Sequence, residues 1–400
     1  MPLDGIRVLD FSQYLAGAGV TRLMAELGAD IIKVEPAPGG DGGRLLPFFR
    51  DGRSGFFVQQ NRGKRSLGLD LRRPEAIRIC LELARDVDVI VENYGPGVME
   101  RRGLTYDAFK AVSPRVIMAS VSAFGRDSPL AHKTGFDWII QAFAGFMHMT
   151  GPREGPPHPV SVAFCDGTSA LNAYGAVMTA LFHRERTGCG QYLDISMVDS
   201  LFQMHEVNVE GASLTDGAWD PHRIGSHHDL VCPMGVFKGP TGYLVIMVLD
   251  MQWKAMCDAM GRPDLAGKPG YLTGQARAER RGEIVALIEH WLAGFPTNEE
   301  ALAVLERHRV AAGPVLSPRE ALDHPYFVER GAVRVIRDPI LGEFKVPGFP
   351  MRFSEQPELP ELVAPLLGQH NRELLREKLG YSDARIRALE ADGVLVSGPT

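Results

Sequence analysis

The sequence predicts an α/β fold, a Rossmann-like large domain on a parallel sheet joined to a smaller α+β domain. Three observations carry this. Short β-branched apolar runs alternate with helical periodicity through the first half of the chain, the pattern of a parallel sheet covered on both faces. A different texture, with two strands around a tight turn and then short helices, begins near residue 225. The 400 residues, 45% hydrophobic, suffice for two domains with substantial cores.

Residues 7–11 form the first strand, and a helical pattern over 20–27 follows. Gly28 comes just past that helix, where glycine takes a left-handed cap at little cost. Residues 30–35 are β-branched and read as a buried strand. Residues 66–71 are another, and Pro74 then opens a helix at its first position. Strands at 87–93 and 116–122 flank a helix at 106–112. Helices then dominate, at 137–149, 166–186 and 197–211, with a strand at 191–195 and a Gly/Pro-rich loop at 151–159. Residues 235–237 and 243–249 are strands joined by the turn Gly239-Pro240-Thr241-Gly242, and short helices then lead to 314–316. A β-rich piece at 333–353 and amphipathic helix over 366–392 complete the chain. The expected division is 1–200 as a large Rossmann-like domain, 201–224 as linker and 225–330 as small domain. Residues 331–400 are then a return segment whose helices pack on the large domain. Ligands of such sheets sit beyond the carboxyl ends of the strands, which places Asn93, Tyr94 and the residues after Glu35 at the expected crevice.

A net charge of −6 gives no electrostatic footprint for nucleic acid. An anionic ligand must therefore be held by local arginines, lysines and helix ends. The five cysteines show no CxxC pair or zinc spacing, so no metal is expected, and free thiols suit a reducing cytoplasm. The N-terminus lacks the apolar core of a signal peptide. Apolar stretches such as 174–182 fall far short of the ~20 residues a bilayer requires, so no membrane partner is expected.

Gly17-Ala18-Gly19 follows a strand and precedes a helix, inviting a dinucleotide reading with Glu35 as the ribose-binding acid. Arg22 stands where the third glycine belongs, however. Small residues that let a helix pack on a strand explain the pattern better. No Walker loop, HExxH or GxSxG is present. Asp166, in Ala163-Phe164-Cys165-Asp166-Gly167-Thr168, opens a long helical pattern. An N-cap aspartate reads this way, and so does a carboxylate nucleophile favoured by a helix N-terminus. Spacing leaves both open. Cys165 reads as a small buried filler.

Several segments occur in one order: Pro2-Leu3-Asp4-Gly5-Ile6-Arg7-Val8-Leu9-Asp10, Leu27-Gly28-Ala29-Asp30-Ile31-Ile32-Lys33-Val34-Glu35 and Asn61-Arg62-Gly63-Lys64-Arg65-Ser66. Then come Val91-Glu92-Asn93-Tyr94-Gly95-Pro96-Gly97, Arg184-Glu185-Arg186-Thr187-Gly188-Cys189-Gly190-Gln191 and Pro365-Leu366-Leu367-Gly368-Gln369-His370. In this order the chain resembles the class III CoA-transferases, which include formyl-CoA and carnitine CoA-transferases. The resemblance implies that Asp166 is a covalent nucleophile passing through an aspartyl anhydride and an aspartyl-CoA thioester, with Gln13 close to the reacting carboxyl group. The amides of Gly167 and Thr168 are expected as oxyanion donors. Asn93 and Tyr94 match family positions that contact CoA, with Lys64 and Arg101 as candidates for its phosphates. Lys133 and Arg44 are weaker candidates. Coenzyme A and its acyl esters enter as substrates, with no tightly bound cofactor, and a small carboxylic acid is the second substrate. The family also implies a ring-like, interlocked homodimer whose sites lie between one subunit's large domain and the other's small domain.

Two rivals remain. The 2-methylacyl-CoA racemases share the fold and the aspartate but use a histidine in a Gly-His-Asp context as partner base. Here that segment is Gly135-Phe136-Asp137, and phenylalanine moves no proton. A non-catalytic CoA-ester binder is the other. The glycine run of some formyl-CoA transferases is missing from Ile224-Gly225-Ser226-His227-His228-Asp229, which argues against oxalate. His227 and His228 are candidates for an acid substrate's carboxylate. The family suggests a dicarboxylate or hydroxy acid, with succinyl-CoA as donor.

Overall fold

The computed structural model describes residues 1–356 and 359–398. The chain forms two compact units. The larger comprises 1–145, 160–209 and the chain from 325 onward; the smaller comprises 146–159 and 210–324.

The larger unit is built on six strands: β1 (Arg7–Asp10), β2 (Asp30–Pro36), β3 (Lys64–Leu69), β4 (Val89–Glu92), β5 (Ile117–Ser122) and β6 (Tyr192–Ser196). All neighbours pair in parallel, in the order β3-β2-β1-β4-β5-β6. The central strands are apolar and buried, with Val8, Leu9, Ile31, Val34, Val89, Ile90 and Val91 all at 1% exposure or less. Both faces must therefore be covered, and each such side chain contributes about 1.5–3 kcal/mol. Strand order reverses between β1 and β4. That makes their carboxyl ends the topological switch point, where open α/β sheets bind ligands.

Four helices shape the site and the sheet's cover: α1 (Ala16–Glu26), α2 (Pro74–Ala84), α3 (Asp137–Phe143) and α4 (Phe164–Thr187). Pro74 opens α2 at its first position, where a missing N–H costs nothing. Gly28, at φ +98°, ends the turn after α1. The chain returns to this unit through a hairpin, Val333–Asp338 with Gly342–Pro347, whose Ile336 and Val346 bury against Phe57 and Val58. Leu374, Leu375, Ile386 and Leu389 of the C-terminal helices share a core with Leu67, Leu69 and Ile79.

The smaller unit holds an antiparallel sheet of Met234–Gly239, Gly242–Met247 and Ala311–Pro314. Its core gathers Phe237, Leu244, Ile246, Trp253, Met256, Ile284 and Ile288. The third strand, Ala311–Pro314, follows the short helices. The helix expected at 137–149 is broken by Gly145 at φ +88°, giving α3 and a separate turn Phe146–Met149 that belongs to the smaller unit. The pattern at 197–211 likewise splits into Met197–Phe202 and Asn208–Leu214, so a helix lies within the stretch read as linker. Among the described residues no helix is long and apolar enough to cross a membrane.

Candidate active site

A cavity of about 580 Å³ opens at the carboxyl edge of the large sheet, lined among others by Gln13, Asn93, Tyr94, Lys133, Asp137 and Asp166. Its floor follows from strand order. β1 ends at Asp10 and β4 at Glu92, and because these strands are neighbours, Gln13 and Asn93 meet just beyond them. The pair is reciprocal. The Gln13 N–H donates to Asn93 Oδ1 at 2.7 Å, and Asn93 Nδ2 donates to the Gln13 carbonyl at 2.9 Å. The Gln13 side chain lies beside the Tyr94 hydroxyl, a buried group pushed up to about 12, chiefly by burial. Glu92 fixes the next residue, accepting from the Tyr94 N–H at 2.8 Å and from Arg126 at 2.8 Å.

The small residues of α1 have a packing role. A Cβ on Gly17 would come within 2.6 Å of Ser12 Cβ and 3.1 Å of Asn93 Cγ; one on Gly19 would come within 2.9 Å of Ala170 Cβ. Glycine thus lets α1 seat on the Asn93 turn and against α4. Glu35 is saturated by Arg44 (2.7 Å to each oxygen), the Ser66 hydroxyl (2.6 Å) and the Asp41 N–H (3.1 Å). It has no oxygen left for a ribose. The dinucleotide reading fails on these contacts.

Asp166 is not an N-cap. Helix α4 begins at Phe164 with Ala163 as its cap residue, and no side chain of the cap closes it. Asp166 is the third helical residue, and its main-chain N–H donates to Asp137 Oδ2 at 3.0 Å. The carboxylate that satisfies this helix end is therefore Asp137, from α3. Asp137 is buried and held in turn by Gln141 Nε2 at 2.5 Å, while Gln141 is fixed by the Val160 N–H and carbonyl. Burial first, and the neighbouring Asp137 second, push the Asp166 carboxyl up to about 7. Among the described residues neither aspartate forms an ion pair. A half-buried carboxylate with no cation, at a helix N-terminus, is a candidate nucleophile.

The remaining expectations divide. Asn93, Tyr94 and Gln13 converge on the cavity with Asp166, and Lys133 lies exposed on its wall. Arg101 is exposed on the short helix Val98–Arg101, its guanidinium toward the carbonyl of Pro96, another lining residue. Lys64 does not reach the cavity. Its ammonium is buried and spends its three protons on Asp10 Oδ2 (3.0 Å), Asn61 Oδ1 (2.9 Å) and the Ala18 carbonyl (3.1 Å). A phosphate cannot compete with that set. The Gly167 N–H donates to the Ala163 carbonyl at 3.0 Å, the first bond of α4, so it is not a spare oxyanion donor. Cys165 is buried and its thiol is pushed up to about 12, mainly by burial, which makes it inert. His227 and His228 belong to the smaller unit. The first packs edge-on against Phe237, and the second accepts the Leu230 and Val231 N–H groups at Nδ1.

Two lining residues, Asp137 and Tyr14, carry no site signal in the sequence. Asp137 reads there only as the acid after Phe136, and its place in the first turn of a helix is the one local hint. Tyr14 lines the cavity in a left-handed conformation, φ +59°, with its ring over Gly42, where a Cβ would fall within 2.2 Å of its hydroxyl.

Comparison with known proteins fits this geometry. Residues 3–371 match CoA-transferase family III. The chain is 34% identical over 396 residues to the succinyl-CoA:glutarate CoA-transferase of Mus musculus, covering 98% of this chain and 90% of that protein. It is 38% identical over 387 residues to the succinyl-CoA:mesaconate CoA-transferase of Haloarcula marismortui, covering 94% and 96%. The solved structure of a CAIB/BAIF family protein from Brucella suis matches with a TM-score of 0.83 at 30% identity, covering 94% of this chain and 99% of that one. A family match over nearly the whole chain, on a cavity that unites Asp166 with Gln13 and Asn93, identifies this protein as a member of the class III CoA-transferases.

Proposed function

We propose that the protein transfers CoA from succinyl-CoA to a small dicarboxylic acid through covalent intermediates on Asp166. The observation that carries this is the uncompensated Asp166 carboxylate in a cavity floored by Gln13 and Asn93. An Asp166 oxygen attacks the thioester carbonyl, the C–S bond breaks, and CoA thiolate leaves an aspartyl-succinyl anhydride. The thiolate then attacks the aspartyl carbonyl and releases succinate, which leaves an aspartyl-CoA thioester. The acceptor carboxylate displaces the thiolate in its turn, giving a second anhydride. Thiolate attack on the acceptor's acyl carbon completes the new thioester and restores Asp166. No proton or electron is gained or lost overall, and the thioester energy is conserved.

Each carbonyl oxygen gathers negative charge in these steps. The Gln13 amide is the donor assigned to it, aided by the N-terminal ends of α1 and α4, whose residues Ala16 and Asp166 both line the cavity. CoA lies along Asn93 and Tyr94, with Lys133 and Arg101 facing its phosphates. Two relatives that use succinyl-CoA with glutarate and mesaconate support a dicarboxylate acceptor. The enzyme works as a cytoplasmic homodimer. Phe136, Trp138, Ile139 and Phe143, all more than half exposed around α3, support a further apolar contact there. Racemisation has no support, because residue 136 carries no proton-transferring group.

The test is incubation with succinyl-CoA and a panel of mono- and dicarboxylates, with thioester products resolved by mass. New dicarboxylate thioesters are expected. Deuterium entering the α-carbon of a branched acyl-CoA, with no transfer to any acid, would overturn the reading.

A further inference from the structure

We propose that four buried charged residues, Asp10, Lys33, Asp41 and Lys64, are positioning residues that hold the turn Ser12–Gln13–Tyr14 in its reactive conformation. The inference rests on the proposed roles of Gln13 and Asp166.

The turn lies between β1 and α1 and borrows no ladder from either, so its main-chain groups need other partners. Each comes from a side chain. Asp10 Oδ1 accepts the Ser12 N–H at 2.8 Å and the Ser12 hydroxyl at 2.5 Å. Lys33 Nζ donates to the Ser12 carbonyl at 2.7 Å. Asn93 takes the N–H and carbonyl of Gln13, and Asp41 Oδ1 accepts the Tyr14 N–H at 3.0 Å. Five successive main-chain groups are thus fixed, and the last of them belongs to a tyrosine held at φ +59°. A bulky residue there is strained and persists only where its surroundings over-determine it.

The charges themselves pair. Lys33 lies 2.8 Å from Asp41 Oδ2, and Lys64 lies 3.0 Å from Asp10 Oδ2, which the Thr21 hydroxyl also reaches at 2.8 Å. All four residues are 0–3% exposed. Buried ion pairs are poor stabilisers, because apolar side chains of similar volume often serve as well or better. What apolar side chains cannot do is bond the polar groups of an irregular turn. The quartet is therefore explained by what it holds. The turn it holds carries Gln13 into the cavity that contains Asp166.

The test compares the wild type with the double variant Lys33→Met/Asp41→Leu, which removes one pair without stranding a charge. Folding is checked by circular dichroism and melting. Rapid-quench mass spectrometry then follows the rate and final stoichiometry of Asp166 labelling by succinyl-CoA. The expected result is full stoichiometry reached at least about 30-fold more slowly, with succinyl-CoA affinity within about 3-fold, because a displacement of about 1 Å is worth roughly 10²-fold in rate. Labelling at the wild-type rate overturns the inference. So does reduced stoichiometry at unchanged rate, the mark of a merely structural role. If the double variant does not fold, Asp41→Asn, which keeps an acceptor for the Tyr14 N–H, is expected to slow labelling about 5-fold with the same split; no slowing overturns the inference. A wild type that labels while the variants keep pace refutes the positioning role alone. A wild type that never labels refutes the covalent reading, and this inference with it.

Discussion

The larger unit holds two pairs of aspartates built on opposite terms. Asp10 and Asp41 each have a lysine ammonium within 3.0 Å. Asp137 and Asp166 have each other, and among the described residues neither has an ion-pair partner. Burial raises a carboxyl wherever it acts. At Asp10 burial is outweighed by Lys64, Lys33 and the hydroxyls of Ser12 and Thr21, and the group ends below the ordinary carboxylate range. At Asp166 burial is reinforced by Asp137 and the group rises to about 7. In the proposed mechanism the contrast separates scaffold from chemistry. A compensated buried charge fixes geometry, whereas an uncompensated one stores reactivity.

Variants break this contrast by different amounts. Asp166→Ala removes the proposed nucleophile and is expected to cut transfer by about 10⁴-fold or more, with CoA-ester affinity changed only a few-fold. Steady-state rates alongside calorimetric binding check both halves. Gln13→Ala, which removes the assigned oxyanion donor, is expected to lower kcat by roughly 10²-fold with little change in KM.

The pH profile sharpens the contrast further. Protonated Asp166 cannot attack, so activity is expected to rise through an acid limb near pH 7 in kcat/KM. Asp137→Asn keeps an acceptor for the Asp166 N–H but removes the like charge, and should move that limb to lower pH. The smallest effect is on stability. The Asp166 carboxyl stands higher in the folded protein than in the unfolded chain. Its contribution to stability is therefore present at low pH and lost as pH rises from about 4 through 7. Asp166→Asn removes that loss and should stabilise the protein at pH 8 by roughly 1–3 kcal/mol, and much less at pH 4. Melting curves at the two pH values decide it.

The sheet was legible because its strands are buried on both faces and read as continuous apolar runs. Strand order was not, since it depends on crossovers that no local pattern encodes. It was this order that made Gln13 and Asn93 neighbours across 80 residues. Asp166 was legible through family resemblance alone. Its local pattern also fits an N-cap, and the helix start at Phe164 removes that reading. Asp137 lies 29 residues away, and nothing in its own neighbourhood announces that it will cap another helix. Lys64 misled for a physical reason. Lysines are overwhelmingly surface residues, and the exception depends on Asp10, 54 residues distant, folding against it.

The most direct measurement is mass spectrometry with peptide mapping after brief exposure of the purified protein to succinyl-CoA. A covalent Asp166 predicts a CoA or succinyl adduct on the peptide that carries it, lost in Asp166→Ala and discharged by an acceptor acid. Productive transfer of CoA with no adduct there, or with Asp166→Ala still turning over, would contradict it.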